Sequence, residues 1–86
     1  MQYVIAVFRS RNETLYFANM FRSAGYFASI INTPKEAGQA CGISVRFDMR
    51  LFALAKQFLL AKPFRSFHGF FRVNEISLSR RVVEKI

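Results

Sequence analysis

The sequence predicts an α+β domain in which a four-stranded antiparallel sheet is covered on one face by two helices. Three observations lead there. The chain opens on an uninterrupted β-branched and aromatic run, YVIAVF at residues 3–8. Two later segments repeat apolar residues at helical spacing. Each is flanked by runs of strand character, so the order strand–helix–strand occurs twice.

Residues 3–8 contain no turn former and read as a buried strand. Ser10 then stands three residues before Glu13, the capping-box spacing that satisfies free N–H groups at a helix start. The helix carries Thr14, Phe17, Ala18, Phe21 and Ala24 on one stripe, and Gly25 follows where a left-handed stop is favoured. Residues 26–31, YFASII, form the second strand. In the third, ISVRF at residues 43–47, the pattern alternates, with Ile43, Val45 and Phe47 on one face and Ser44 and Arg46 on the other. Asp48 caps a second helix bearing Phe52, Ala55, Phe58 and Leu59, and Pro63 ends it. FHGFFRV, at residues 67–73, is the fourth strand. This is the ferredoxin-like βαββαβ plan, with expected spatial order 4-1-3-2. Residues 1–74 make the domain, and residues 75–86 form a basic C-terminal tail that reads as an edge strand, a short helix or a frayed end.

Composition limits what such a domain does. The chain has 86 residues, enough for one small core. A single cysteine rules out an internal disulfide, so a reducing, cytoplasmic setting is expected. The longest apolar segment, residues 51–61, is interrupted by Lys56 and Gln57, and no membrane span is expected. The first strand is too short for a signal peptide and has no basic region before it. Thirteen Lys and Arg against five acids give a net charge of +8, which favours anionic partners. The scattered acids offer no paired carboxylates, so no catalytic residue is assigned. One His and one Cys are too few for a zinc site, and no metal or cofactor is expected.

Two surfaces remain as candidates. A sheet covered on one side leaves its other face open. If Phe67, Gly69, Phe71 and Val73 face the helices, then His68, Phe70 and Arg72 join Arg46 on the open face. Arginines interleaved with an aromatic suit a single-stranded nucleic acid, while self-association as a homodimer is the blander use.

The second candidate is the loop around Cys41. Pro34, Gly38 and Gly42 punctuate it, and Lys35 favours a thiolate. The competing reading buries Cys41 as a small hydrophobe beside Ile43 and Val45. The motifs here are Ser10 with Glu13, Ala24-Gly25, Thr33-Pro34-Lys35-Glu36, and Cys41-Gly42. In these the chain resembles the family named Putative Se/S carrier protein-like. The resemblance implies that Cys41 carries sulfur or selenium as a persulfide or perselenide. Thr33, Pro34, Lys35, Glu36 and Gly42 would then support the loop, and the partners would be sulfur or selenium donor and acceptor proteins. Such a protein is a shuttle more than an enzyme, because one thiol can accept and donate but cannot resolve its own mixed disulfide.

Overall fold

Tyr3 to Phe8 are all buried, which alternation alone would forbid for a strand with one wet face. The computed structural model describes residues 1–38 and 42–86 and shows the reason. This run belongs to β1 (Gln2–Phe8), the middle strand of a five-stranded, fully antiparallel sheet with apolar cover on both sides. Val4, Ala6 and Phe8 meet the helices, while Tyr3, Ile5 and Val7 enter a second apolar cluster on the opposite face.

The remaining elements are α1 (Arg11–Ser23), β2 (Ser29–Asn32), β3 (Ile43–Phe47), α2 (Phe52–Leu60), β4 (Phe67–Ser77) and β5 (Arg80–Lys85). Short 3₁₀ turns at Lys35–Ala37 and Met49–Leu51 precede β3 and α2. The sheet order is β2-β3-β1-β4-β5. It contains the expected neighbours 4-1-3-2, but four strands is corrected to five. Residues 75–86 finish β4 and supply β5, whose pairing runs from Ser77↔Arg80 to Phe71↔Lys85.

The helix stripes land as their spacing requires. Thr14, Phe17, Ala18 and Phe21 of α1 and Ala55 of α2 are buried, with Phe52, Phe58 and Leu59 packed at the margin of the same cluster. Ala24, by contrast, is the exposed C-cap. The Gly25 and Tyr26 amides return to the Arg22 and Phe21 carbonyls, so the chain is still turning there and β2 starts only at Ser29.

At the N-terminus of α1, Ser10 Oγ accepts the Glu13 amide at 3.2 Å, as the capping spacing predicts. The Glu13 carboxylate does not return to the Ser10 amide. It accepts the amides of Arg65 and Ser66, each at 2.9 Å, and the Ser66 hydroxyl at 2.6 Å. Ser66 Oγ in turn accepts the Ser10 amide at 3.0 Å. The cap is therefore shared with the segment that leads into β4.

The facing of β4 is corrected. Phe70 is 6% exposed and packs under the helices with Phe17, Phe47 and Phe52. Phe71 and Val73 lie in the second cluster instead. The cause is a β-bulge. Val7 pairs with Gly69 and Phe8 with Phe67, which leaves His68 as one extra residue. The bulge lets Phe67 and Phe70 both reach the helix side, three positions apart.

Candidate functional site

Of the connection between β2 and β3, residues 33–38 fold onto the face of the sheet away from the helices. Ala37 is 2% exposed there and packs with the second cluster, which includes Ile5, Val7 and Phe71. This face is thus partly covered and is not the open platform expected. At the base of the loop the Thr33 amide donates to the Gly42 carbonyl at 3.0 Å. The Thr33 and Ser44 hydroxyls share a hydrogen bond of 2.6 Å, which satisfies a fully buried Ser44. Pro34 is buried, and Lys35 is exposed. Glu36 forms an ion pair with Arg81 of β5, with its two oxygens 3.0 and 3.1 Å from the guanidinium. That guanidinium lowers the Glu36 pKa below the ordinary carboxylate range.

Cys41 lies outside the described residues, as do Gln39 and Ala40. The two glycines flanking them differ in kind. Gly38 has φ +93° and ψ −160°, a region that side chains other than hydrogen rarely enter, and a Cβ there would meet His68 Nε2 at 3.3 Å. Gly42 has no positive φ, and a Cβ would enter open space among the described residues. Glycine is thus demanded by the backbone at 38 and not at 42. Gly38→Ala should cost about 1–3 kcal/mol in urea unfolding, whereas Gly42→Ala should stay within about 0.5 kcal/mol. Equal costs would contradict this assignment.

The four residues expected on one face separate. Arg46 and His68 lie on the face away from the helices. Arg46 stacks its guanidinium 3.9 Å from the centre of the Tyr3 ring and donates to Met1 Sδ at 3.1 Å. His68 stacks on Phe71 with ring centres 6.0 Å apart. Phe70 is in the main core, and Arg72 sits on the helix side at the β5 margin, 2.6 Å from Glu84. An interleaved aromatic and arginine face is therefore not assembled.

The sequence reading missed Tyr3, whose hydroxyl donates to Glu75 at 3.3 Å. Burial, and then the Glu75 carboxylate, push its phenol pKa up. It also missed a groove of about 430 Å³ between the Lys35–Ala37 turn and the β4–β5 hairpin. Lys35, Glu36, Glu75, Arg80 and Arg81 line it. Both depend on residues after 74, where no motif gave a signal. Among the described residues no cluster of three His, Cys, Asp or Glu is arranged to hold a metal, and no helix is long and apolar enough to cross a membrane.

Residues 3–65 match the family model described as Putative Se/S carrier protein-like. The chain belongs to that family. No curated protein and no solved structure matches the chain. In this Se/S carrier-like domain the matched residues run from β1 through α2 and include the whole β2–β3 loop. The β4–β5 hairpin, which supplies Arg81 to Glu36 and His68 to Gly38, lies beyond them.

Proposed function

We propose that the protein is a carrier of sulfur or selenium, with Cys41 as the thiol that holds the chalcogen. The observation that carries this reading is the family match over residues 3–65, which includes the one cysteine of the chain. The Cys41 thiolate attacks the outer sulfur of a donor persulfide. A new S–S bond forms at Cys41, the donor's S–S bond breaks, and the donor departs as its thiolate. An acceptor nucleophile then attacks the outer sulfur, and Cys41 leaves as thiolate, so the transfer needs no external oxidant or reductant. A perselenide donor passes its outer selenium by the same displacement.

Two features support the reading. The described residues on either side of Cys41 are held in place: Thr33 bonds Gly42 and Ser44, and Glu36 is braced on Arg81. The surplus of cations, +8 overall, suits a group that is anionic both as thiolate and as persulfide. Thr33, Pro34, Lys35, Glu36 and Gly42 shape the loop in this proposal.

Incubation with a cysteine desulfurase and free cysteine tests it. Intact mass should show one added sulfur on the native protein and none on Cys41→Ser. If Cys41 resists a small alkylating reagent until the chain is unfolded, the carrier reading fails, and Cys41→Ser should then cost about 1–3 kcal/mol of stability, as at other buried positions.

A further inference from the structure

The outer edge of β5 ends the sheet, so its backbone groups on that side have no partner strand among the described residues. The Ile86 amide donates to the Phe70 carbonyl, so positions 82, 84 and 86 turn their backbone groups toward β4. Positions 81, 83 and 85 turn theirs outward. The side chains alternate in the other sense. Arg81, on Glu36, and Val83, against the second cluster, point away from the helices; Glu84, on Arg72, points to the helix side, and strand alternation assigns Val82 and Arg80 to that side as well.

We propose that β5 pairs antiparallel with β5 of a second copy about a two-fold axis at Val82, joining the two sheets edge to edge. The charge pattern selects this register. Such an axis, normal to the sheet, places residues of equal parity opposite each other. An axis at Arg81 sets Arg81 against itself, and one at Glu84 sets Glu84 against itself. An axis at Val83 sets Arg81 against Lys85 twice. About Val82, Arg80 faces Glu84 twice, Arg81 faces Val83 twice, and no like charges are opposed. Residues 81 and 83 of the two copies then exchange four backbone hydrogen bonds.

The groups in that register are free to engage. Arg80 is exposed and forms no ion pair among the described residues. Both Arg72 contacts fall on Glu84 Oε1, which leaves Oε2 for Arg80 of the second copy. Val82 is 48% exposed and Ile86 41%, and the hairpin-tip Leu78 is fully exposed. The Val82 side chains meet on the axis, and each hairpin tip lies beside the end of the other strand, bringing Leu78 toward Ile86. This pairing is argued from β5 alone, so it stands or falls independently of the carrier reading.

Sedimentation of the full chain over a wide concentration range tests the pairing, with thermal melts confirming that each variant folds. The native protein should show a reversible monomer–dimer equilibrium. Arg80→Glu and Glu84→Arg should each weaken the dimer roughly tenfold or more, since each replaces two attractive cross-strand pairs with repulsive ones. An equimolar mixture of the two variants should restore it as a heterodimer. There the introduced carboxylate at position 80 faces the introduced guanidinium at position 84, and the unaltered Arg80 of one chain faces the unaltered Glu84 of the other. A native chain that stays monomeric near millimolar concentration overturns the proposal. So does a dimer indifferent to Arg80→Glu, or a mixture of folded variants that fails to associate. Should Glu84→Arg not fold, Arg80→Ala decides in its place: it must weaken the dimer less than Arg80→Glu, and an equal loss overturns the pairing.

Discussion

Phe17→Ala should destabilise the protein by about 3–5 kcal/mol, the range for removing a buried aromatic and leaving a cavity. Phe17 is fully buried, and its ring centre lies 5.2 Å from that of Phe8, 5.4 Å from Phe21, 5.6 Å from Phe64 and 6.4 Å from Phe70. These partners come from β1, α1 itself, the segment before β4, and β4. Truncation therefore loosens contacts between four parts of the chain at once, and ring pairs add about 0.5–1.5 kcal/mol each beyond the area they bury. A chain of this length holds only about 4–13 kcal/mol in total, so a large share of the folded population is at stake. Phe17→Leu keeps most of the apolar volume and should keep most of the stability. Urea unfolding of both variants decides the matter, and a loss below about 1 kcal/mol for Phe17→Ala would mean that the cluster repacks freely.

Glu13→Ala should cost about 1–3 kcal/mol, more than an ordinary change at a half-buried helical position, because three hydrogen bonds to a charged group disappear together. The carboxylate joins the start of α1 to Arg65 and Ser66, more than fifty residues away. The same contacts set a pH dependence. The Arg65 amide first, and then the Ser66 hydroxyl, lower the Glu13 pKa below the ordinary carboxylate value. A folded pKa below the unfolded one means that the stabilisation is fully present above the unfolded value, about 4.3 for Glu. It is then lost as pH falls through the lower, folded value. Glu36 and Asp48 shift in the same direction, through Arg81 and through the Arg50 amide respectively. Stability should accordingly be flat near neutrality and decline in acid. Glu13→Gln should flatten that decline, and an unchanged acid limb in the variant would remove Glu13 as its source.

Local chemistry was legible in the sequence, and long-range partners were not. Ser10 and Glu13 announced a helix start correctly, yet nothing near them indicated that the carboxylate would bond residues 65 and 66. The alternation of residues 43–47 gave the right facing, with Val45 and Phe47 inward and Arg46 opposite Ile5. The six apolar residues from Tyr3 to Phe8 already implied a strand covered on both faces, because a half-wet strand would have alternated. That implication conflicted with an open second face, and the buried Ile5 and Val7 resolve the conflict. In β4, strict alternation carried past His68 inverted the facing of Phe70 and Phe71, since a bulge changes parity without leaving a turn residue to mark it. Residues 75–86 read as an edge strand, a short helix or a frayed end, because the charges Arg80, Arg81, Glu84 and Lys85 also suit a solvated tail, and the edge strand is the one that forms. Those charges are what an edge strand carries.

The bulge at His68 also bears on how this fold can vary. A regular strand ties each position to one face, so an exchange of side chains there is answerable to packing. His68 is supernumerary: the ladder closes between Phe8 and Phe67 and between Val7 and Gly69 with that residue looped between them. The sheet thus contains one place where a residue can be replaced, or even deleted, while Phe67 and Phe70 keep their stations in the core. That place faces Gly38, at the edge of the segment that leads to Cys41. Selection can therefore alter what confronts the loop with little penalty to folding, and the scaffold and its working surface are free to evolve at separate rates.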